Sequence, residues 1–123
     1  MAEPIPEGWL QFAIITAYNP AGKRYNELMN QSAHLRFQDS VMQSGIERLD
    51  IIGSAPDDTH QERGFGLLCS MDEARALAVE FDQLAFYWID AGRVSLIDTV
   101  RRVHLDLGEW ACRVRPWEVR LRP

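Results

Sequence analysis

Three short polar motifs contain the residues of this chain that could bind a ligand or move a proton. Amide, carboxylate and imidazole side chains hydrogen-bond polar molecules, and a histidine beside a carboxylate accepts a proton near neutral pH. The motifs are Thr16-Ala17-Tyr18-Asn19-Pro20, His60-Gln61-Glu62 and Phe81-Asp82-Gln83. They are far apart in sequence, so only the fold can make a site of them.

Each motif also has a purely structural explanation. Asn19 before Pro20 is a common turn former, and Gln83 at a helix-to-strand junction could satisfy loose carbonyl groups. His60 and Glu62 could form a hydrogen-bonded pair or serve as two metal ligands. Because neither P-C-x-x-C nor H-E-x-x-H is present, no metal site is predicted. Gly22-Lys23 lacks the upstream glycine and following Ser/Thr of a phosphate-binding loop, and no cofactor is expected.

The hydrophobic pattern predicts two helices among several strands. The first helix should run from Asn26 to Ser44 and stop at Gly45. The second should begin at Ser70, which forms a capping box with Glu73 and precedes an i, i+3, i+4, i+7 apolar row. The predicted strands are Phe12–Tyr18, an edge strand at Leu49–Ile51, interior strands at Gly64–Cys69 and Leu84–Ile89, and Val94–Ile97 after a hairpin turn at Asp90–Gly92. Two further strands are expected to turn at Gly108, with residues 110–114 in the second, and Val119 and Leu121 resume the alternation beyond Pro116.

This order predicts an α+β fold of the ferredoxin-like, split βαβ type (βαββαβ), with an antiparallel sheet, two helices and a C-terminal strand extension. Right-handed crossovers place the third strand between the first two and the fourth beside the first. The three polar motifs then meet at one edge of the sheet, where the first helix also begins. We therefore predict a ligand site formed by Asn19, Lys23, His60, Glu62 and Gln83.

The apolar arc of the first helix is wide. Leu28, Leu35 and Met42 are spaced one heptad apart, beside an i, i+4 row formed by Met29, Ala33, Phe37 and Val41. A broad core face is the commoner cause of such an arc, and a contact with a second subunit is the alternative.

Length and composition predict a single domain over residues 1–123, with its core at about 10–97 and a basic extension at 98–123. No apolar run is long enough for a membrane span, so a cytoplasmic protein is expected. Cys69 and Cys112 are predicted to be buried free thiols. Residues 101–123 carry six basic and three acidic side chains, but the net charge of −5 argues against nucleic acid as a partner.

The T-A-Y-N-P, H-x-E and F-D-Q-L-A-F-Y-W motifs resemble a bacterial family, domain of unknown function 3293, over roughly residues 10–97. The resemblance implies a small cytoplasmic bacterial protein and supplies no activity. Asn19, His60, Glu62 and Gln83 match the family pattern, whereas Asp82 and Arg63 depart from it.

Three classes of function remain, in this order of preference. The first is a binding module for a small polar or anionic ligand at the shared edge. The second is a protein–protein interaction module or homodimer, and the third is a small enzyme with His60 or Glu62 as acid or base. No serine or cysteine with a convincing base partner is visible, so the sequence leaves enzymatic activity open.

Overall fold

The helices and strands below come from a computed structural model, which describes residues 6–54, 61–101, 104–109 and 118–122. Two α-helices and seven strands occur in these ranges, together with a one-turn 3-10 helix at Pro20–Gly22. They are β1 (Gln11–Thr16), α1 (Glu27–Ser44), β2 (Glu47–Ser54), β3 (Gln61–Leu68), α2 (Met71–Glu80), β4 (Ala85–Asp90), β5 (Arg93–Asp98), β6 (His104–Glu109) and β7 (Glu118–Arg122).

The described strands form one antiparallel sheet in the order β6-β5-β4-β1-β3-β2-β7. Its centre, β4-β1-β3-β2, has the strand order of the predicted split βαβ arrangement. The α+β fold class is therefore confirmed. β5 and β6 extend the sheet beyond β4, and β7 extends it beyond β2.

Local sequence sets the limits of both helices. Asn26 caps α1 by accepting a hydrogen bond from the Met29 amide, and Gly45 ends the helix with a left-handed φ of 71°. Ser70 and Glu73 form the predicted capping box at the start of α2. Both helix starts match the sequence prediction.

One face of the sheet packs against the helices and carries the main core. Phe37 of α1 lies against Phe65 of β3, with ring centroids 5.4 Å apart, and against Phe81 at 5.1 Å. The predicted i, i+3, i+4, i+7 apolar row of α2 consists of Ala74, Leu77, Ala78 and Phe81. The first three are buried, while Phe81 is half-buried. α1 also buries His34, whose ring stacks on Phe65 at 4.8 Å.

The opposite face of the sheet holds a smaller cluster of Phe12, Ile89 and Val94. Trp9 packs edge-on against Phe12 at 5.5 Å and lies near Gly66. Phe86 and Trp88 are buried in the helix-facing core, whereas Tyr87 between them is exposed. This alternation is the one expected for successive side chains of a strand.

Two strand predictions were wrong. β2 is not an edge strand, because β7 pairs with it on the side opposite β3. Gly108 is not the turn between two strands. It lies inside β6 opposite Val94, next to a register shift, and its φ of 90° suits a bulge. The predicted strand at 110–114 and Cys112 lie outside the described residues.

Neither described helix combines the length and the apolar character needed to cross a bilayer.

Candidate functional site

The loop that follows β1 is held in an unusual backbone conformation. Asn19 is left-handed, with φ 49° and ψ 59°, and Ala21 also has a positive φ of 56°. Asparagine tolerates this region better than other non-glycine residues, which suits it to this position. A hydrogen bond from the Lys23 amide to the Pro20 carbonyl, 3.1 Å long, closes the turn.

Two hydrogen bonds join Asn19 to Asn30 of α1, one through the Asn19 backbone and one through its side chain. The Asn19 amide donates to Asn30 Oδ1 at 2.8 Å, and Asn30 Nδ2 donates to Asn19 Oδ1 at 3.1 Å. Asn19 Oδ1 also accepts from the Tyr25 amide at 2.9 Å. Because Asn30 is buried, this network ties the loop firmly to the first turn of α1.

The start of β3 brings a carboxylate to the same loop. Asn19 Nδ2 donates to Glu62 Oε1 at 3.2 Å, which links residues 43 positions apart. Beside it, Thr16 Oγ1 donates to the Arg63 carbonyl at 2.7 Å. Glu62 is half-buried.

The turn after α2 completes the arrangement. Gln83 Nε2 donates to the Tyr18 carbonyl at 3.2 Å and to the Phe81 carbonyl at 3.3 Å. The Ala21 amide donates to the Asp82 carbonyl at 2.6 Å, and Asp82 has a positive φ of 54°. The Asn19 loop and the α2–β4 turn therefore pack directly on each other. We call Asn19, Asn30, Glu62 and Gln83, with the loop of residues 19–25, the polar edge.

Tyr18, the residue before Asn19, packs between the polar edge and α1. The ring is buried against His34, and the hydroxyl donates to Glu27 Oε1 at 3.3 Å. Burial raises the pKa of Tyr18 above its ordinary value, and the nearby Glu27 carboxylate raises it further. The phenol is therefore a hydrogen-bond donor over the physiological pH range.

The structure brings together three of the five predicted site residues. Asn19 bonds directly to Glu62, and Gln83 bonds to the residue before Asn19. Lys23 is exposed on the same loop, and His60 lies outside the described residues. Sequence reasoning missed Asn30, which stands alone on a helix and carries no motif that marks it.

No group of three or more His, Cys, Asp or Glu side chains in the described ranges is arranged to hold a metal ion. Cys69 is a half-buried free thiol at the far end of β3, away from the polar edge.

Comparison with protein families identifies a match. A family model described as "Protein of unknown function (DUF3293)" matches residues 15–86, which include the end of β1, all of α1, β2, β3 and α2, and the start of β4. Asn19, Asn30, Glu62 and Gln83 all fall within the match. No curated protein and no solved structure matched the chain.

Proposed function

Since this chain belongs to the DUF3293 family of proteins of unknown function, we propose its function from the polar edge: it binds a small polar or anionic molecule there. The observation that carries the proposal is the Asn19–Glu62 hydrogen bond. It holds a half-buried carboxylate against a loop that also presents the exposed Lys23.

The residues of the polar edge divide into two roles. Asn19, Asn30 and Gln83 use their amide groups on one another and on backbone carbonyls, so they fix the shape of the loop. Glu62, which accepts the hydrogen bond from Asn19, and the exposed Lys23 are the two charged groups that we propose contact the ligand. A loop held in a single conformation loses little entropy on binding, which favours affinity.

Opposite charges at the polar edge favour one class of ligand. Glu62 would accept hydrogen bonds from an ammonium or hydroxyl group, and Lys23 would attract a carboxylate or phosphate. His60, which precedes β3 by one residue, is proposed as a third contact. Amino acids and small hydroxy acids fit this pattern. The bacterial cytoplasm, where free thiols such as that of Cys69 stay reduced, is the proposed setting.

A thermal-shift screen of amino acids, hydroxy acids and sugar phosphates tests the proposal. A ligand that binds only the folded state adds RT ln(1 + [L]/Kd), about 2.7 kcal/mol at a hundred times Kd, so a hit should raise the melting temperature by several degrees. Lys23→Ala and Glu62→Gln should each remove most of that gain. Arg36→Ala, which deletes an exposed cation of α1 outside the polar edge, is the matched control and should retain it.

The proposal fails if no compound stabilises the protein, or if Lys23→Ala and Glu62→Gln respond to the hit as the native chain does. Turnover of a stabilising compound would move the protein to the enzyme class. In that case a pH–rate profile altered by His60→Ala would identify the acid or base.

A further inference from the structure

Both described α-helices pack on the same face of the sheet, and we call the other face the open face. Phe12, Ile89 and Val94 lie at its centre and are only 1%, 3% and 3% exposed. Among the described residues outside the strands, Trp9 packs on this cluster, with its ring 5.5 Å from that of Phe12. One tryptophan covers only part of such a surface, so the open face needs a further cover.

The open face is apolar from one side of the sheet to the other. Strand pairing places one residue from each of six neighbouring strands in a continuous row on this face: Leu105, Leu96, Tyr87, Ile14, Gly66 and Leu49. Leu105 and Tyr87 are 56% and 37% exposed in this row. Monomeric proteins rarely leave so continuous an apolar surface in water.

The β6–β7 connection, residues 110–117, begins and ends at opposite edges of the sheet. β6 ends at Glu109 on one edge, and β7 begins at Glu118 on the other. Six strand spacings of about 4.8 Å, or about 29 Å in total, separate these edges. Glu109 lies level with the start of β1, whereas Glu118, paired with Ser54, lies level with its end. The connection lies outside the described residues, and its ends require a diagonal path.

The length of the β6–β7 connection decides which face it crosses. Nine Cα–Cα steps lead from Glu109 to Glu118, and even a fully extended chain of this length reaches only about 30–32 Å. The coiling of a twisted sheet brings its edges closer, but little length remains for a detour. A path outside α1 and α2, each about 10 Å across, would need roughly 20 Å more. The connection therefore has to cross the open face.

The sequence of the β6–β7 connection suits an apolar surface. Trp110, Cys112 and Val114 alternate with Arg113 and Arg115, and successive residues of an extended chain point to opposite sides. We propose that the connection covers the open face in an extended conformation, with Trp110, Cys112 and Val114 against the sheet and the two arginines in solvent. The open face is then an internal surface of the protein and not a docking surface for a partner.

Thiol reactivity at two adjacent positions tests the proposal. The first protein keeps Cys112 in a Cys69→Ala chain, and the second carries Arg113→Cys in a chain whose two native cysteines are changed to alanine. The aromatic disulfide DTNB is added to each protein, folded and in urea. Cys112 should react at least about tenfold more slowly in the folded chain, because a covered thiol reacts only when its cover opens. The thiol introduced by Arg113→Cys should react at similar rates in both states.

A charge on the open face should remove the protection of Cys112. Tyr87 is 37% exposed at the middle of the row, so Tyr87→Glu introduces a carboxylate that the connection would have to bury. The folded Cys112 rate should rise at least about fivefold, since the protection depends on how rarely the cover opens. Val79→Glu, at a 57% exposed position of α2, is the matched control and should leave the rate unchanged. Circular dichroism checks that both variants are folded.

Several results would overturn the proposal. Equal protection at positions 112 and 113, or a folded Cys112 that reacts as fast as the unfolded thiol, would show that the connection does not lie on the open face in this orientation. An unchanged Cys112 rate in folded Tyr87→Glu would place the protecting surface elsewhere. Protection that increases with protein concentration would show that a second copy covers the open face instead.

Discussion

Asn19 shows how one residue can join three parts of a chain. Its left-handed backbone turns the chain after β1, and its side chain bonds to α1, to Tyr25 and to β3. The sequence identified Asn19 as a turn former and as a site candidate, and both roles use the same short amide. It could not identify Asn30, because the need for a partner arises only when α1 packs beside the turn.

The Asn19–Asn30 pair should behave as one unit in a double-mutant cycle. Asn19→Ala and Asn30→Ala should each lower the free energy of unfolding by about 1–3 kcal/mol, since each leaves a buried polar group without its partner. The double variant should cost less than the sum by at least about 0.5 kcal/mol. Urea unfolding measures all three, and strict additivity would show that the two residues act independently.

Cys69 should make the protein less stable at high pH. Burial, with a smaller effect from the Glu73 carboxylate, raises the pKa of Cys69 from 9.0 to about 11. The folded state thus keeps the thiol proton to higher pH than the unfolded state. The resulting contribution to the free energy of unfolding is complete below pH 9.0 and is lost as the pH rises toward about 11. Cys69→Ala should flatten the alkaline decline of the urea midpoint, with Cys112 changed to alanine in both proteins, and an unchanged decline would contradict this.

At the scale of elements, the helices were predictable because their signals are local. Asn26, Gly45, Ser70 and Glu73 cap the helices within one turn, and the structure uses each of them as the sequence indicated. The inward face of α1 was only partly predictable. The fold places Asn30 and His34 on the buried face of α1, whereas hydrophobic spacing alone would predict burial of Leu28 and Leu35.

The packing of α2 can be tested with two substitutions on the same helix. Leu77 is buried against the sheet, so Leu77→Ala should destabilise the protein by about 2–5 kcal/mol. Val79 is 57% exposed, so Val79→Ala should change the free energy of unfolding by less than about 0.5 kcal/mol. Equal effects in urea unfolding would mean that α2 is peripheral.

Two glycines of β3 should differ in their tolerance of a methyl group. A Cβ on Gly64 would lie 2.6 Å from the backbone oxygen of Ile15, so β1 and β3 would have to separate. A Cβ on Gly66 would meet the flexible tip of Ile51 at 3.0 Å. Gly64→Ala should therefore be clearly more destabilising than Gly66→Ala, with the difference read from their melting temperatures. The reverse order would contradict this reading of the sheet.

At the scale of the whole molecule, the order of the four central strands followed from chain connectivity and the handedness of crossovers. The position of β7 does not follow from either of these rules. The alternation of Val119 and Leu121 predicts a strand, but no local sequence feature indicates that this strand pairs with β2. Partner choice depends on which edge remains open once the rest of the sheet has formed, so the local pattern predicts β2 as an edge strand.

The pairing of β7 with β2 has a consequence for the order of folding. The β2–β3 and β4–β5 hairpins join neighbours in the chain, whereas β7 must close a long loop to reach β2, which makes it a late event. Until it arrives, the outer backbone groups of β2 are open to a strand from another molecule. A chain truncated before Glu118 should therefore lose refolding yield as its concentration rises, while the full chain refolds well at the same concentrations. On this view, residues 118–122 protect the protein from aggregation as well as completing its sheet.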